Sequence, residues 1–209
     1  MSAAAPPLPK TRASHAIFYV AFFLVAAAAA SVLYLQFRLQ HPPLLRFRQL
    51  PDFSLVQSDG NPIRLADLRG KIWVADFIYT TCPGPCPLVS GHLSELQPQL
   101  LRDQRIEIVS FSVDPQNDTA EVLRGYAQKY HADTTRWHFV TGNPAQMHSL
   151  IQDGFMLAAT EGSPGDEAVV HSTKLALVDG HGVVRGYYDA LAKDQHQLLE
   201  DAAALLREK

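Results

Sequence analysis

The sequence is poor in cysteine and, at its amino-terminal end, in acidic residues. It has only two cysteines among 209 residues, and a water-exposed part of about 160 residues buries a sufficient core without disulfides. Residues 1–50 contain no acid, whereas the rest of the chain has 13 basic and 21 acidic residues. Nucleic-acid binding needs Lys and Arg to neutralise phosphates, so this net charge of −8 argues against it.

One stretch of twenty residues, Ala16 to Leu35, has no charge at all. As a helix it spans about 30 Å, which is the thickness of the hydrocarbon layer. The apolar core of a secretory signal is shorter, about 7–15 residues, although the run Ala26–Ala30 leaves cleavage by a peptidase open. We predict a single transmembrane anchor over residues 16–36, and basic residues on both sides leave its orientation undetermined.

Three further segments follow from composition and periodicity. Residues 1–15 are rich in Pro and Ala and are predicted to be disordered, and residues 37–49 are predicted to be a tether. Residues 50–209 are predicted to fold as one domain. Its strands are predicted near 53–55, 63–65, 71–79, 106–113, 137–140, 172–178 and 183–188, and its helices over 87–102, from Asp118 or Thr119 to 130, from 143 to 151 and over 193–208. This order predicts an α/β domain with a mixed sheet flanked by helices.

Both cysteines lie in the segment Cys82-Pro83-Gly84-Pro85-Cys86-Pro87, between a predicted strand and a predicted helix. Ligands of α/β sheets bind at the carboxyl ends of strands, which is where this segment falls. The spacing of four turns both sulfurs to one side of a helical loop, and a helix amino terminus favours thiolate over thiol. Thiolates select soft metals such as Cu(I) or Zn, and the same pair can form a disulfide. The segment therefore predicts a metal site or a redox-active dithiol.

Two thiolates leave a copper site open, so a histidine is a candidate third ligand. Of the nine histidines, His171 is favoured because it directly precedes a predicted buried strand that can lie beside the cysteine strand. His92, six residues after Cys86, is more typical of a solvated helix position. Two others, His15 and His41, belong to the flanks of the anchor, and the remaining five have no feature that distinguishes them from surface or turn residues.

Four motifs, in this order, resemble the Sco/SenC family over roughly residues 50–206. They are Asp76-Phe77-Ile78-Tyr79-Thr80-Thr81-Cys82-Pro83 with Cys86-Pro87, Ser112-Val113-Asp114-Pro115 with Asp118-Thr119, Trp137 with Phe139 and Thr141-Gly142, and His171-Ser172. Members of this family are membrane-anchored proteins with a thioredoxin-like fold that deliver copper to cytochrome c oxidase.

The resemblance implies that Cys82, Cys86 and His171 are copper ligands. It also implies that the copper is delivered to the binuclear copper site of an oxidase subunit, with an upstream copper donor or thiol reductant as a further partner. Asp114 lies in a family motif near the site and equally suits a turn at a strand end.

Two positions depart from the family pattern. Gly84-Pro85 stands where members commonly have an acid or a larger polar residue, and Val170 stands where they commonly have Asp. Loss of that carboxylate removes a partner for the imidazole, so copper affinity and redox poise are expected to differ from those of relatives.

Two enzymatic alternatives use the same thiols. A thiol–disulfide oxidoreductase would reduce cysteines of the oxidase subunit or of other exported proteins, with Cys82, expected to be the exposed thiol, attacking first. A peroxidase is disfavoured because Tyr79 stands three residues before Cys82, where peroxidatic sites usually have Thr or Ser. A dithiol on a single-span anchor belongs outside the cytosol. We therefore expect the bacterial inner membrane with the domain in the periplasm, or alternatively the mitochondrial inner membrane facing the intermembrane space.

Overall fold

The computed structural model describes residues 12–40, 43–157, 173–192 and 195–208. The chain divides into two compact units, the first ending at Pro43 and the second beginning at Leu44. The described part of the first unit is dominated by a single helix, α1 (Arg12–Gln40). Its segment Ile17–Gln36 is long and apolar enough to cross a membrane, a test that a signal sequence also passes.

The helix α1 is longer at both ends than the predicted anchor. Residues 12–15, predicted to be disordered, and residues 37–40, predicted to be part of the tether, are both helical. The predicted disorder of residues 1–11 lies outside the described residues. Residues 44–49 of the predicted tether belong to the second unit, where a short strand at Arg48–Gln49 pairs with the sheet.

The second unit is a mixed sheet covered by helices. Within the described residues the sheet has eight strands: β1 (Arg48–Gln49), β2 (Ser54–Gln57), β3 (Pro62–Arg64), β4 (Ile72–Ile78), β5 (Ile106–Ser112), β6 (Trp137–Thr141), β7 (Lys174–Val178) and β8 (Val183–Asp189). Their order across the sheet is β1-β8-β7-β4-β5-β6-β2-β3. Strands β4, β5 and β6 are parallel, and the remaining neighbours are antiparallel. The predicted α/β class with a mixed sheet is confirmed.

The helices of this unit lie close to their predicted positions. They are α2 (Pro85–Leu100), α3 (Ala120–Lys129), α4 (Pro144–Ser149), which continues into a π-helical turn (Leu150–Gly154), and α5 (His196–Leu205). The cap of α3 is Thr119, whose hydroxyl accepts a hydrogen bond from the Val122 amide. Asp118, the other predicted cap, is fully buried instead. α2 begins two residues before its predicted start, which places Cys86 in its first turn.

The two central strands, β4 and β5, are buried along their whole length. Burial along the whole length is typical of parallel strands covered on both faces. On one face Phe77 packs edge-on against Phe155 at a centroid distance of 5.0 Å. On the other face Val74 joins a cluster with Leu93 of α2 and Leu123 of α3. This packing fixes the carboxyl end of β4, from which the chain runs directly into the cysteine loop.

Candidate metal and dithiol site

The cysteines lie at the carboxyl end of β4, where the sequence predicted them. After Ile78 the chain turns, and the Cys82 amide donates to the Tyr79 carbonyl at 3.2 Å. Cys86 follows in the first turn of α2. Both thiols are free, and their exposed fractions are only 6% and 4%. The expectation that Cys82 is the exposed thiol is therefore wrong: packing of the proline-framed loop buries both residues to the same degree.

Protonation, rather than exposure, distinguishes the two thiols. Burial by itself would raise the pKa of Cys82. Hydrogen bonds from the Cys86 thiol and backbone, the Tyr79 hydroxyl and the Gly84 backbone outweigh burial and lower this pKa overall. Burial, together with the hydrogen bond that the Cys86 thiol donates to Cys82, raises the pKa of Cys86 to about 12. Of the two, Cys82 therefore gives up its proton more readily, and Cys86 retains its own.

Tyr79 is also a residue of the site, although its sequence position indicated only that a peroxidase is disfavoured. Burial and the hydrogen bond that its hydroxyl donates to Cys82 raise its pKa, so it stays protonated. A neutral hydroxyl beside a thiolate supplies a donor without adding charge. The one feature of the sequence that could have indicated this role is the position of Tyr79, three residues before Cys82 and directly after β4.

Asp118 fixes the beginning of the cysteine loop. Its Oδ1 accepts hydrogen bonds from the Thr80 backbone N at 3.1 Å and from Thr80 Oγ1 at 2.5 Å. Its Oδ2 accepts from Ser112 Oγ at 2.6 Å. The side chain therefore joins the residue two positions before Cys82 to the carboxyl end of β5. Nothing local in the sequence indicates this contact, because Thr80 and Asp118 are 38 positions apart.

We expect Asp118→Ala to lower the free energy of unfolding by about 2–3 kcal/mol, because it leaves buried donors without an acceptor. Urea unfolding of the reduced, metal-free chain measures this change. Asp118→Asn keeps an acceptor oxygen for Thr80 and should recover about half of the loss. The matched control is Asn117→Ala, since Asn117 is adjacent but exposed. Equal stability of the Asp118→Ala and control variants would contradict this role.

Asp114 lies at the same end of the sheet and shapes the turn after β5. Its carbonyl accepts from the backbone of Asn117 and Asp118, and its Oδ2 accepts from Asn117 Nδ2 at 2.8 Å. Its charge is also among the causes that raise the pKa of Tyr79. The structure thus shows the turn-forming role that the sequence suggested and places the carboxylate within electrostatic range of the site.

His171 and Val170 lie outside the described residues. The strand that follows them is β7, which pairs antiparallel with β4 through Ala75 and Ala176. This register places Lys174, the first residue of β7, two positions beyond that pair and beside the carboxyl end of β4. The assignment of His171 as a ligand stays a prediction.

The other histidines near the sheet are engaged elsewhere. His92 is half-buried, and its Nδ1 lies 2.9 Å from the Ala190 carbonyl oxygen. His138 contacts Glu107 at 3.2 Å near the opposite end of β5, in a polar cluster that also contains Lys71. Within the described ranges, which exclude His171, no three His, Cys, Asp or Glu side chains form a group that could hold a metal ion. The two sulfurs are therefore the soft donors that the described structure supplies.

The second unit is similar to proteins of known family. The SCO1/SenC family model matches residues 44–207. The chain is 31% identical over 145 residues to the SCO1 protein homolog of Bacillus subtilis (strain 168), covering 68% of this chain and 75% of that protein. It is also 31% identical over 153 residues to a Stutzerimonas stutzeri protein described as copper-binding, covering 72% and 74%.

A solved structure gives the same result. BsSco, described as a member of the Sco family of cytochrome c oxidase assembly proteins with a disulfide switch, matches with a TM-score of 0.71 at 29% identity, covering 81% of this chain and 99% of that one. The predicted thioredoxin-like fold is confirmed. Because the family model matches nearly all of the second unit, this chain belongs to the SCO1/SenC family.

Proposed function

We propose that this protein binds one copper ion through Cys82, Cys86 and His171 and delivers it to the binuclear copper site of cytochrome c oxidase during assembly. The observation that carries the proposal is the pair of free cysteines just before and within the first turn of α2, where hydrogen bonds lower the pKa of Cys82. Soft thiolates suit Cu(I). The description of the S. stutzeri relative as copper-binding and of BsSco as an oxidase assembly protein supports the same function.

The chemistry of the two thiols suits transfer of a metal rather than permanent storage. Cys82 offers a thiolate, whereas Cys86 must release its proton when a metal binds, so uptake is coupled to proton loss. Three ligands leave a position open for a ligand of the receiving protein, which a closed tetrahedral site would not. A Cβ added at Gly84 would meet no atom within 4 Å, so the described surroundings of the loop are open on that side.

The proposed location is the bacterial inner membrane, with α1 as a single-pass anchor and the second unit in the periplasm. The apolar segment Ile17–Gln36 supports the anchor, and a dithiol that must stay available for exchange suits an extracytosolic compartment. The mitochondrial inner membrane, with the unit facing the intermembrane space, is the alternative. The proposed partners are the copper-containing oxidase subunit and an upstream copper donor or thiol reductant.

The second candidate function is thiol–disulfide exchange, which the low pKa of Cys82 and the disulfide switch of BsSco favour. The Cys82 thiolate would attack a disulfide of an exported protein, forming a mixed disulfide and releasing one target thiolate. Cys86, after losing its proton, would then attack the Cys82 sulfur, releasing the second target thiolate and forming the Cys82–Cys86 disulfide. A thiol reductant must supply two electrons to restore the pair.

His171→Ala separates the two functions. In cells whose own copy is replaced by this variant, we expect oxidase activity and oxidase-bound copper to fall at least about tenfold, since a lost metal partner weakens a site 10–100-fold or more. The purified variant should still exchange disulfides with a small disulfide at an unchanged rate. His148→Ala, at an exposed position of α4, is the control. Normal oxidase assembly with His171→Ala would exclude the copper proposal and favour thiol exchange.

A further inference from the structure

A cavity of about 480 Å³ opens near the amino end of β4, far along this strand from the cysteines. Its lining is rich in arginine and contains fewer acids. The charged and histidine side chains that line it are Arg46, Arg69, Arg105, Arg185, His181, Asp179 and Glu208. Four guanidinium groups line the cavity together with two carboxylates, and a third carboxylate, Asp103, is paired with Arg105. The cavity therefore keeps an excess of positive charge although residues 51–209 carry a net charge of −8.

Arg185 forms the rigid base of this cavity. Its side chain is only 4% exposed. Its Nε donates to the Leu45 carbonyl and its Nη2 to the Leu44 carbonyl, both at 2.9 Å, while its Nη1 donates to Asp179 Oδ2 at 2.9 Å. A buried charge held in this way fixes the first residues of the second unit against the sheet.

Arg46 and Arg69 keep much of their charge available. Arg46 is 61% exposed, and the nearest carboxylate oxygen, Asp179 Oδ2, lies 3.9 Å away and is already bound to Arg185. Arg69 donates to the carbonyl oxygen of His181, which carries no charge. Arg105 is paired with Asp103 but lines the same cavity. Arginine forks of this kind match the geometry of phosphate oxygens.

The connection of the chain indicates where the phosphate comes from. α1 ends at Gln40, and the six residues from there to Arg46 reach at most about 21 Å. If α1 anchors the protein, Arg46 stays near the lipid headgroups. An anionic surface repels the acidic remainder of the chain and attracts only its basic parts.

We propose that this cavity binds the headgroup phosphate of an anionic phospholipid and thereby orients the second unit on its own membrane. The seven residues of β4 extend about 23 Å from the cavity to the cysteine loop. Headgroup binding at the amino end of β4 therefore holds Cys82 and Cys86 away from the membrane surface, where a partner's water-exposed domain can reach them. This inference rests on the proposed membrane anchor and does not depend on copper.

The test uses the full chain in nanodiscs that contain a headgroup spin-labelled lipid. Broadening of the backbone amide signals of Gly70, Gly180 and Gly182 is compared with that of Cys82 and Cys86 by NMR. In mixed anionic and zwitterionic lipid, we expect broadening at the three glycines and none at the cysteines. Each arginine near an anionic surface is worth a factor of about five, so Arg46→Gln/Arg69→Gln/Arg105→Gln should lower the equilibrium constant for headgroup binding about 100-fold.

The matched control is Arg64→Gln/Arg124→Gln/Lys129→Gln, which removes the same charge from exposed positions that do not line the cavity and should keep the broadening. Equal broadening in purely zwitterionic nanodiscs, or broadening at the cysteines, overturns the proposal. The proposal is also overturned if the cavity binds free inorganic phosphate to saturation while the broadening at the glycines does not depend on lipid charge. Copper stoichiometry is measured on the same samples: intact broadening with no copper bound would contradict the proposed function and leave the headgroup site supported.

Discussion

Replacing either cysteine of the site by serine is expected to lower the affinity for Cu(I) by about two to three orders of magnitude. A hydroxyl is a harder ligand than a thiolate and stays protonated at neutral pH. Structural zinc sites with four protein ligands bind with about 10–16 kcal/mol, or roughly 3 kcal/mol per ligand, and we take the same scale for one thiolate here. Competition of the purified chain against a chromophoric Cu(I) chelator measures the change.

The two serine variants should not be equivalent. Cys86→Ser retains the Cys82 thiolate, whose pKa is lowered by its hydrogen bonds. Cys82→Ser retains the Cys86 thiol, whose pKa is still raised by burial, the largest of its causes. We therefore expect the Cys82→Ser variant to bind Cu(I) more weakly at neutral pH and to gain affinity more steeply as the pH rises. The control is Ser94→Ala on the same helix, which should bind as the unchanged chain does. Two serine variants with identical pH profiles would contradict the assigned asymmetry.

The part of the site that could be predicted from sequence is the part that depends on neighbours in the chain. The apolar run before Tyr79 predicted β4 to within one residue at each end, and the prolines around Cys82 predicted the loop. Local residue types likewise predicted helix starts at Asp118 or Thr119 and at Asn143-Pro144, and the observed caps are Thr119 and Asn143. In each of these cases the residues that decide the structure lie within a few positions of one another.

The features that were missed depend on contacts between distant positions. Asp118 was an equally good helix cap by its type, and only the pairing of β4 with β5 brings it to Thr80. Arg185 binds the carbonyls of Leu44 and Leu45, about 140 positions away, so the predicted tether gave no sign of being fixed to the sheet. Sequence spacing carries no information about which distant strands become neighbours.

The same limit applies to Asp76, which sequence analysis placed in a family motif without giving it a role. It lies in β4 and is completely buried. Ser110 Oγ donates to its Oδ1 at 2.6 Å, and Trp137 Nε1 in turn donates to that hydroxyl at 2.8 Å. Its other oxygen has no hydrogen-bond partner among the described residues. A charged carboxylate is poorly solvated in such a place, and burial raises the pKa of Asp76 from 3.8 to about 7.

This raised pKa makes the stability of the protein depend on pH in a defined direction. Between about pH 4 and pH 7 the folded chain keeps a proton on Asp76 that the unfolded chain has released. The contribution of Asp76 to stability is therefore complete below pH 4 and is lost as the pH rises to 7. A difference of about three pKa units corresponds to roughly 4 kcal/mol.

We expect Asp76→Asn to remove this pH dependence. The difference in the free energy of unfolding between the variant and the unchanged chain should shift by about 4 kcal/mol in favour of the variant from pH 4 to pH 8. Urea unfolding of the reduced, metal-free protein across this range gives the slope of the unfolding free energy against pH for each chain. Burying the amide costs the same free energy at every pH, so it does not change this slope. Asp52→Asn, at an exposed position, is the control and should leave the slope unchanged. Parallel slopes for Asp76→Asn and the unchanged chain would contradict the assignment.

The charge of Asp76 also reaches the cysteine site, since it is among the causes that raise the pKa of Cys86 after burial and the hydrogen bond to Cys82. Above pH 7 the ionised carboxylate therefore opposes release of the Cys86 proton, which metal uptake requires. Removing that charge should strengthen Cu(I) binding at pH 8 and change it little at pH 5, where the carboxyl is already neutral. The chelator competition used for the serine variants measures both values. An equal gain at the two pH values would show that the amide acts through packing instead of charge.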